Sequence, residues 1–321
     1  MPLFSCLSLK NYAILYNCDL RTWRPLKPLR KVKDMPAEIL RGAPVAEALS
    51  EKLKTRIQAL ASRGVTPCLG MIRIGEREGD LSYERSASKR CAALGIALRR
   101  VVLDADATQE ELLAVIDEMN RDSAVHGILF FRPLPEGMDL RLVSDAIAPE
   151  KDVDGIGSAS MAAVYAGLEH GFFPCTAQAV IEMLRYYELP ICGKRAVVVG
   201  RSLVTGRPAA LLLLREHATV TVCHTRTQEL ARIVSEAELV VTATGHINTL
   251  TEEHLRPGQI VIDIGLTYDE QRGKLCGDVD HEAAERIVRC VSAVPGGIGA
   301  VTSTILCSHV VVAAEAQTEG R

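Results

Sequence analysis

Residues 196–208, AVVVGRSLVTGRP, decide the fold class because an apolar β-branched run ends in a glycine turn that opens a helix. Unbroken valines suit a strand that is buried on both faces. Gly200 can leave this strand through a tight turn, Ser202 can cap the next helix, and Gly206 allows close backbone approach. The free N–H groups of such a helix start bind anions. The spacing departs from G-x-G-x-x-G, so by itself the turn is equally consistent with a structural link.

Three apolar strand candidates follow this turn, with helical stretches such as residues 227–235 between them. The candidates are residues 218–224 (ATVTVCH), 238–245 (ELVVTATG) and 259–266 (QIVIDIGL). Strands that alternate with helices at intervals of about 20 residues are typical of a doubly wound Rossmann sheet. This context favours a nucleotide site at the end of the first strand.

The end of the second strand indicates which nucleotide binds. NAD-binding domains usually place an acidic residue there for the ribose hydroxyls. This chain has His224, Thr225 and Arg226 instead, and Arg201 can add a second cation. A hydroxyl and a guanidinium suit a 2′-phosphate, which favours NADP over NAD. The alternative is that Arg226 only begins a solvated helix.

The composition is that of an ordinary soluble protein with room for two domains: 321 residues, 48% hydrophobic, 24% charged and a net charge of -3. We expect no nucleic-acid partner, because there is no basic tract beyond the N-terminus. No apolar run approaches the roughly 18 residues that span a bilayer, so no membrane partner is expected. The ten cysteines form no C-x-x-C pair. They indicate a reducing, cytoplasmic location, without a disulfide framework or a metal site.

The N-terminal residues 1–34 differ from the rest in being basic. They could be a targeting peptide. Met35, however, begins MPAEILRG and leads into an amphipathic helix over residues 44–63. We therefore interpret residues 1–34 as a disordered extension or the product of a misplaced start codon.

A second α/β region precedes the Rossmann segment and has no glycine fingerprint. Strands are predicted over residues 68–75, 96–103 and 125–132, and helices over residues 79–94, 108–120 and 138–148. Asp106 or Thr108 can cap the second of these helices. A cleft between two such domains is a usual place for a substrate.

Further motifs appear beside the glycine turn. Lys-Asp-Val-Asp-Gly at residues 151–155 places two carboxylates near the domain junction, although Asp residues also simply cap turns. Residues 294–299, VPGGIG, let backbone approach a planar ligand, although alone they are only a loop. The remaining motifs are FPCT (173–176), TVCHTRT (221–227), VIDIGL (261–266) and GDV (277–279). In this order, the set closely resembles the methylenetetrahydrofolate dehydrogenase/cyclohydrolase family over about residues 35–316.

The resemblance implies an α/β fold of two domains with a cleft between them. A folate-binding domain would span residues 35–178 plus 300–316, and an NADP-binding Rossmann domain residues 179–299. A final helix over about residues 302–315 would return to the first domain. Members of the family are usually homodimers joined through their Rossmann domains. They oxidise 5,10-methylenetetrahydrofolate to the methenyl form and hydrolyse that cation to 10-formyltetrahydrofolate.

The resemblance also assigns site residues. Tyr83 would pack along the aromatic ring of the folate, and Asp154 would anchor the pterin; both are the catalytic candidates. The loop of Pro295, Gly296 and Gly297 would lie beside pterin and nicotinamide. The cofactor candidates are Gly200, Arg201, Ser202, Gly206, Thr225, Arg226 and Leu266.

Two positions depart from the family together. Ala87 stands where the family has its catalytic lysine, and Phe131 stands where it has the glutamine that orients this lysine. Neither side chain can transfer a proton, so we predict that the cyclohydrolase step is lost while hydride transfer survives. An orienting glutamine would also be costly to bury unpaired once its lysine is gone.

Three other residues are possible substitutes. Lys89 should point away, because two helical residues rotate a side chain by about 200°. Arg132 should project to the opposite strand face unless the chain bends there. Asp80 could contribute a carboxylate at the rim. The leading hypothesis is thus an NADP-dependent dehydrogenase; the alternatives are a fully bifunctional enzyme and a non-catalytic folate- or nucleotide-binding paralogue.

Overall fold

The structure, a computed structural model, describes residues 36–168 and 171–319; the predictions for residues 1–34 lie outside this part. The strands are β1 Glu38–Leu40, β2 Cys68–Ile74, β3 Ala97–Leu103, β4 Gly127–Phe130, β5 Arg195–Val199, β6 Thr219–Cys223, β7 Leu239–Thr242, β8 Ile260–Asp263, β9 Thr267–Asp269, β10 Lys274–Cys276 and β11 Cys290–Ser292. The helices are α1 Gly42–Ser62, α2 Glu78–Leu94, α3 Gln109–Arg121, α4 Leu140–Asp145, α5 Ser158–Ala166, α6 Cys175–Tyr186, α7 Gly206–Arg215, α8 Leu230–Ser235, α9 His281–Ile287 and α10 Ile298–Glu319, with short 3-10 turns at Pro149–Lys151 and Glu252–His254.

The larger sheet has the order β1-β11-β8-β7-β5-β6, and every neighbouring pair is parallel. Its central strands are apolar on both faces, as the sequence pattern predicts. Val198, Val241 and Val261 are fully buried. Strand order reverses at β5, because β6 lies on one side of it and β7 on the other. The predicted doubly wound sheet is confirmed, and its crevice lies at the carboxyl end of β5.

The smaller sheet has the order β3-β2-β4 and is also parallel. The helix that follows β3 begins at a capping box. The Thr108 side chain accepts a bond from the backbone N–H of Glu111, whose carboxylate in turn accepts the backbone N–H of Thr108 at 2.7 Å. Thr108, one of the two predicted caps, is therefore the one used. The fold class of two α/β domains is confirmed.

Two pairings in the structure were not predicted. The short strand β1 joins the larger sheet by pairing with β11, so that Ile39 lies opposite Val291. Strands β9 and β10 form an antiparallel hairpin after β8. Both features rest on strands of three residues, which are too short for hydrophobic alternation to reveal them.

The last helix, α10, is longer than predicted and lies against α1 and α6. The expectation that no apolar run approaches the length of a membrane span is wrong for this helix. Its residues Ile298–Thr318 are long and apolar enough to cross a membrane. However, 78% of that stretch is buried inside the fold. Helices in the core of a folded domain are equally apolar, so packing explains the composition of α10.

Candidate active site

The turn after β5 has a backbone that only glycine accommodates at two positions. Gly200 has a φ of +125°, and a Cβ added to it would lie 2.3 Å from the carbonyl oxygen of Ala243. A Cβ added to Gly206 would lie 2.3 Å from the carbonyl oxygen of Gly200. The two glycines therefore let the chain leave β5 and fold back against itself before α7 begins.

Ser202 holds this turn together from within. Its hydroxyl accepts hydrogen bonds from the backbone N–H groups of Thr205 at 3.2 Å and Gly206 at 3.3 Å. The N-cap residue of α7 is Thr205, so Ser202 is not the cap that the sequence predicts but braces the turn just before the helix. The start of α7 points its dipole at the crevice, which is the arrangement that favours a phosphate.

The other cofactor candidates also follow parallel strands at the same edge of the sheet. Gly200 N–H donates to the Cys223 carbonyl at 2.9 Å, which joins the turn to the end of β6 and hence to Thr225 and Arg226. Arg201, Thr225 and Arg226 are exposed, and Leu266, after β8, is 56% exposed. A glycine-only turn with two exposed arginines beside it fits a dinucleotide that carries a 2′-phosphate.

A cavity of about 500 Å³ lies next to this turn. Val204, in the turn itself, is part of its wall. The other residues that line it are Arg77, Gly79, Asp80, Tyr83, Leu129, Phe130, Phe131, Arg132, Pro133, Asp154, Pro174, Cys175, Thr176 and Thr302. The cavity thus brings the predicted substrate residues Tyr83 and Asp154 together and places them beside the predicted cofactor turn.

Tyr83 reaches the cavity from α2, where its ring meets Phe131 edge to face, with ring centres 5.9 Å apart and planes at 81°. Burial, reinforced by the negative charge of Asp154, raises the pKa of the Tyr83 hydroxyl well above its ordinary value. This hydroxyl is therefore neutral at physiological pH. It can pack against a ring and donate a hydrogen bond, but it supplies no base.

Arg132 corrects one expectation from the sequence. Strand β4 ends at Phe130, and the chain bends at Arg132 and Pro133. The Arg132 side chain consequently lines the cavity and does not project to the opposite face. Arg132 Nη2 donates to Asp154 Oδ2 at 2.6 Å, and the two side chains are 22% and 11% exposed. A salt bridge thus stands in the wall of the cavity.

A second arginine–aspartate pair lies on the same wall. Asp80 accepts two hydrogen bonds from Arg77, at 2.9 Å from Nε and 2.7 Å from Nη2. The Asp80 side chain is 9% exposed and that of Arg77 is 44% exposed, so the arginine is the member of the pair that faces solvent. Asp80 is therefore in the cavity, as suggested from sequence, but its carboxylate is already engaged.

Ala87 and Phe131, the two positions where the resemblance predicts a lysine and a glutamine, are both buried. Ala87 is 0% exposed on the same stripe of α2 as Tyr83, one turn further along, and Phe131 is 7% exposed. Lys89 is exposed and is not among the residues that line the cavity, in agreement with the predicted rotation. Phe131 therefore lines the cavity, Ala87 is buried and is not among the lining residues, and neither side chain can transfer a proton.

The sequence reasoning did not single out Cys175 and His309, which lie behind Asp154. His309 contacts the Val153 carbonyl oxygen through Nδ1 at 2.7 Å and the Gln178 side chain through Nε2 at 2.9 Å. Burial lowers the pKa of His309 to about 4, and burial raises the pKa of Cys175 well above its usual value. Both groups are neutral at physiological pH, so Cys175 is a thiol and no activated nucleophile. FPCT was the only signal in the sequence for this region.

The 294–299 loop lies at the carboxyl end of β11 and leads into α10. Pro295 and Gly296 are exposed and Gly297 is buried. The carbonyl oxygen of Gly296 accepts the N–H of Gly42 at 2.8 Å, so α1 is anchored to the loop. These residues do not belong to the lining of the cavity. Their assignment to pterin and nicotinamide stays a prediction.

Within residues 36–168 and 171–319, no cluster of three or more His, Cys, Asp and Glu side chains is arranged to hold a metal ion. The polar side chains that line the cavity include two arginine–aspartate salt bridges, a neutral phenol and a neutral thiol.

Comparison with known proteins assigns the chain to a family. Two family models match, the tetrahydrofolate dehydrogenase/cyclohydrolase catalytic domain over residues 40–154 and the NAD(P)-binding domain of the same family over residues 174–318. The bifunctional protein FolD of Carboxydothermus hydrogenoformans is 46% identical over 280 residues, which cover 87% of this chain and 98% of that protein.

Solved structures agree with this match. The bifunctional FolD methylenetetrahydrofolate dehydrogenase/cyclohydrolase of Campylobacter jejuni superposes with a TM-score of 0.85 at 37% identity, covering 87% of this chain and 99% of that one. The Trypanosoma brucei enzyme, complexed with NADP cofactor and an inhibitor, gives a TM-score of 0.85 at 34% identity and covers 89% and 99%. The chain therefore belongs to the tetrahydrofolate dehydrogenase/cyclohydrolase family.

Proposed function

We propose that this chain is an NADP-dependent 5,10-methylenetetrahydrofolate dehydrogenase whose cyclohydrolase step is weak or absent. The observation that carries the proposal is the contrast within one cavity. The glycine turn beside it fits a dinucleotide, whereas Ala87 and Phe131 are apolar and buried where the resemblance expects a lysine and its glutamine.

Oxidation of the methylene group depends mainly on positioning and electrostatics. When bound, NADP accepts a hydride from the methylene carbon. The chain contributes the shape of the cavity, the Tyr83 ring as a packing surface and the Asp154 carboxylate, whose negative charge favours the cation that forms. None of these contributions needs a proton-transferring side chain, so the two apolar replacements leave this reaction possible.

Hydrolysis of the methenyl cation makes a different demand. Protons must move between water, a ring nitrogen and the protein. Tyr83 and Cys175 are held neutral by burial, and the guanidinium of Arg132 has donors but no acceptor atom. Asp80 is engaged by Arg77. The groups in the cavity are therefore poor substitutes for the missing lysine.

For the cofactor, we assign the phosphates to the turn at Gly200, Ser202 and Gly206. Arg201, Thr225 and Arg226 would receive the 2′-phosphate, and the exposed Leu266 would cover the nicotinamide end. The start of α7 and the two arginines supply positive potential for anionic groups. These positions are the residues to substitute in tests of NADP binding.

Two spectroscopic assays of the wild-type chain test the proposal. NADPH formation from 5,10-methylenetetrahydrofolate measures the dehydrogenase, and decay of methenyltetrahydrofolate above the uncatalysed rate measures the cyclohydrolase. We expect NADPH formation and little accelerated decay. Absence of NADPH formation, although NADP and folate bind, would instead identify a non-catalytic paralogue. Fast decay would establish a bifunctional enzyme, the activity after which the bacterial relatives are named.

We further propose that the protein works as a homodimer in a reducing, cytoplasmic compartment. Support for the compartment comes from the cysteines, since those of the described region are all free thiols. Sedimentation equilibrium of the purified chain tests the dimer, and fractionation of cells that express it tests the compartment.

A further inference from the structure

The salt bridge between Arg132 and Asp154 is a charged contact of the cavity that the resemblance does not explain. It joins two segments that are separate in the chain, the bend after β4 and the loop before α5. Its Nη2–Oδ2 distance is 2.6 Å and both side chains are largely buried. A pair of this kind is a strong, charge-assisted hydrogen bond.

We propose that Arg132 is a positioning residue that keeps Asp154 ionised and oriented for the pterin ring. The inference rests on the function proposed above only in taking a tetrahydrofolate as the ligand. A carboxylate binds the amide and amino N–H groups of a pterin when it is charged and acts purely as an acceptor. Arg132 therefore serves substrate binding through Asp154.

The surroundings of Asp154 show why a partner is needed. Burial raises the pKa of Asp154, and the charge and hydrogen bond of Arg132 oppose that rise. Tyr83 and Cys175 also face this carboxylate, and burial keeps both neutral. Burial, with a smaller contribution from the charge of Asp154, raises the pKa of Asp152 on the same loop to about 6. The charged and titratable groups packed around Asp154 are thus Arg132, Tyr83, Cys175, Asp152 and, behind Cys175, His309.

Of these groups, Arg132 is the cation. Its contact engages one oxygen of the carboxylate, Oδ2. A carboxylate has about four acceptor positions, so a ligand can bind the same group without displacing the arginine. A guanidinium has donors but no acceptor atom, so Arg132 does not replace the missing lysine in hydrolysis. Arg132 gives the cavity a positive charge, although position 87 on α2 is an alanine.

Calorimetric binding of tetrahydrofolate between pH 5 and pH 9, with no cofactor and no turnover, tests the inference directly. Arg132→Leu should weaken binding at pH 7 by about 10- to 100-fold, because a buried carboxylate that loses its partner is driven to protonate. The loss should grow as the pH falls. In the assay, KM for the folate should rise by a similar factor, because Asp154 binds the folate.

A double-mutant cycle separates an effect through Asp154 from a general one. In an Asp154→Asn background, removing Arg132 should change binding by less than about twofold. Arg132→Lys should restore most of the affinity and the wild-type acid limb, because it returns the charge. NADP affinity should stay unchanged in all variants, which also reports correct folding.

Arg56→Leu is the matched control. Arg56 joins α1 to Glu315 of α10, and both side chains are 25% exposed, close to the exposure of Arg132. Neither residue lines the cavity. This variant should retain the wild-type folate affinity and pH profile.

Two results would overturn the inference: a wild-type affinity and pH profile for Arg132→Leu, or a loss that is the same at every pH and in the Asp154→Asn background. If Arg132→Leu does not fold, Arg132→Gln replaces it and must show the same shift of the acid limb. A wild-type chain that forms no NADPH but binds tetrahydrofolate in an Arg132-dependent way would refute the proposed function and leave this inference standing.

Discussion

The turn after β5 and the cavity wall formed by α2 and the end of β4 are suited to their ligands by different means. In the turn, the shape of the backbone matters, since Gly200 and Gly206 have no space for a side chain. In the wall, the side chains Phe131 and Arg132, with Ala87 buried one helical turn from Tyr83, decide which chemistry is possible. A wall of this kind can lose one reaction while the fold and the neighbouring turn stay intact.

The largest effect is expected where backbone shape matters. Gly200→Ala should lower NADP affinity by more than about 100-fold, because the new Cβ would lie 2.3 Å from the Ala243 carbonyl oxygen and the turn must move. Titration calorimetry with NADP measures the affinity. Gly273→Ala is the control, since Gly273 also has a positive φ, +62°, but has no atom near its added Cβ. This control should lose only about 1 kcal/mol of stability. Wild-type NADP affinity in Gly200→Ala would show that the turn does not bind the cofactor.

The next effect is a gain in the cavity wall. Ala87→Lys combined with Phe131→Gln should accelerate methenyltetrahydrofolate hydrolysis by about 100-fold, the size of a general acid–base contribution. Decay of the methenyl absorbance measures this rate. Ala87 is fully buried, so a larger side chain should also cost about 1–3 kcal/mol of stability, visible as a lower Tm.

Ala87→Met with Phe131→Gln is the control for that experiment, because it adds a side chain of similar length without an amine. It should give no gain in hydrolysis. Wild-type protein that already hydrolyses rapidly, with no increase in the lysine variant, would contradict the idea that the wall is inactive in hydrolysis.

A smaller effect is expected at the rim of the turn. Arg226→Ala should lower kcat/KM with NADP by about 10- to 30-fold, the value of a charge-assisted hydrogen bond to phosphate, and change kcat/KM with NAD by less than about threefold. Steady-state kinetics with both cofactors measure the ratio. Arg232→Ala on α8 is the control. Arg232 is also exposed and pairs with Glu229 and Glu236, so its removal should alter neither kcat/KM value. A parallel fall with both cofactors would count against a 2′-phosphate contact.

The smallest effect on catalysis concerns His309, which packs behind the wall. Burial lowers its pKa from 6.5 to about 4, so the unfolded chain binds a proton between these values that the folded chain excludes. The stability that this neutral histidine contributes is therefore complete above pH 6.5 and is lost as the pH falls toward 4. From pH 7 to pH 5 the loss is about 2 kcal/mol.

Replacing His309 by Gln should flatten this part of the stability curve and leave kcat at pH 7.5 nearly unchanged. Chemical denaturation at several pH values measures it. Asp152, whose pKa burial raises to about 6, contributes the opposite slope between 3.8 and 6 and stays in both proteins. Equal slopes for the wild type and His309→Gln would contradict a neutral buried histidine.

The sequence predicts features that repeat along the chain and features that only a few residue types can form. The strands of the smaller sheet, strands β5 to β8 of the larger sheet, the turn at Ser202 and the place of Tyr83 and Asp154 follow from apolar runs, turn residues and motifs that lie close together in the chain. The direction of Arg132 could not be obtained in this way. It depends on where β4 ends and on the bend at the next proline, whereas alternation along a strand assumes that the strand continues.

Long-range contacts set a second limit on the sequence reasoning. The Arg132–Asp154 pair, the Cys175–His309 contact and the Gly42–Gly296 hydrogen bond each join residues that are distant in the chain. No local pattern encodes such a pairing, since each partner by itself is an ordinary residue of a loop or helix. These contacts are the parts of the site that the structure adds.

The pairing of β1 with β11 bears on how far the two halves of the molecule are separable modules. Residues 38–40 complete a sheet whose other strands lie between residues 195 and 292, while α10 returns from that region to α1. Cutting the chain near residue 174 would strip β11 of its outer neighbour and leave a row of unpaired backbone groups prone to aggregate. The cofactor half therefore does not contain its complete sheet when it is separated from the first half. This holds for a gene fusion and for an expression fragment that starts after the first half.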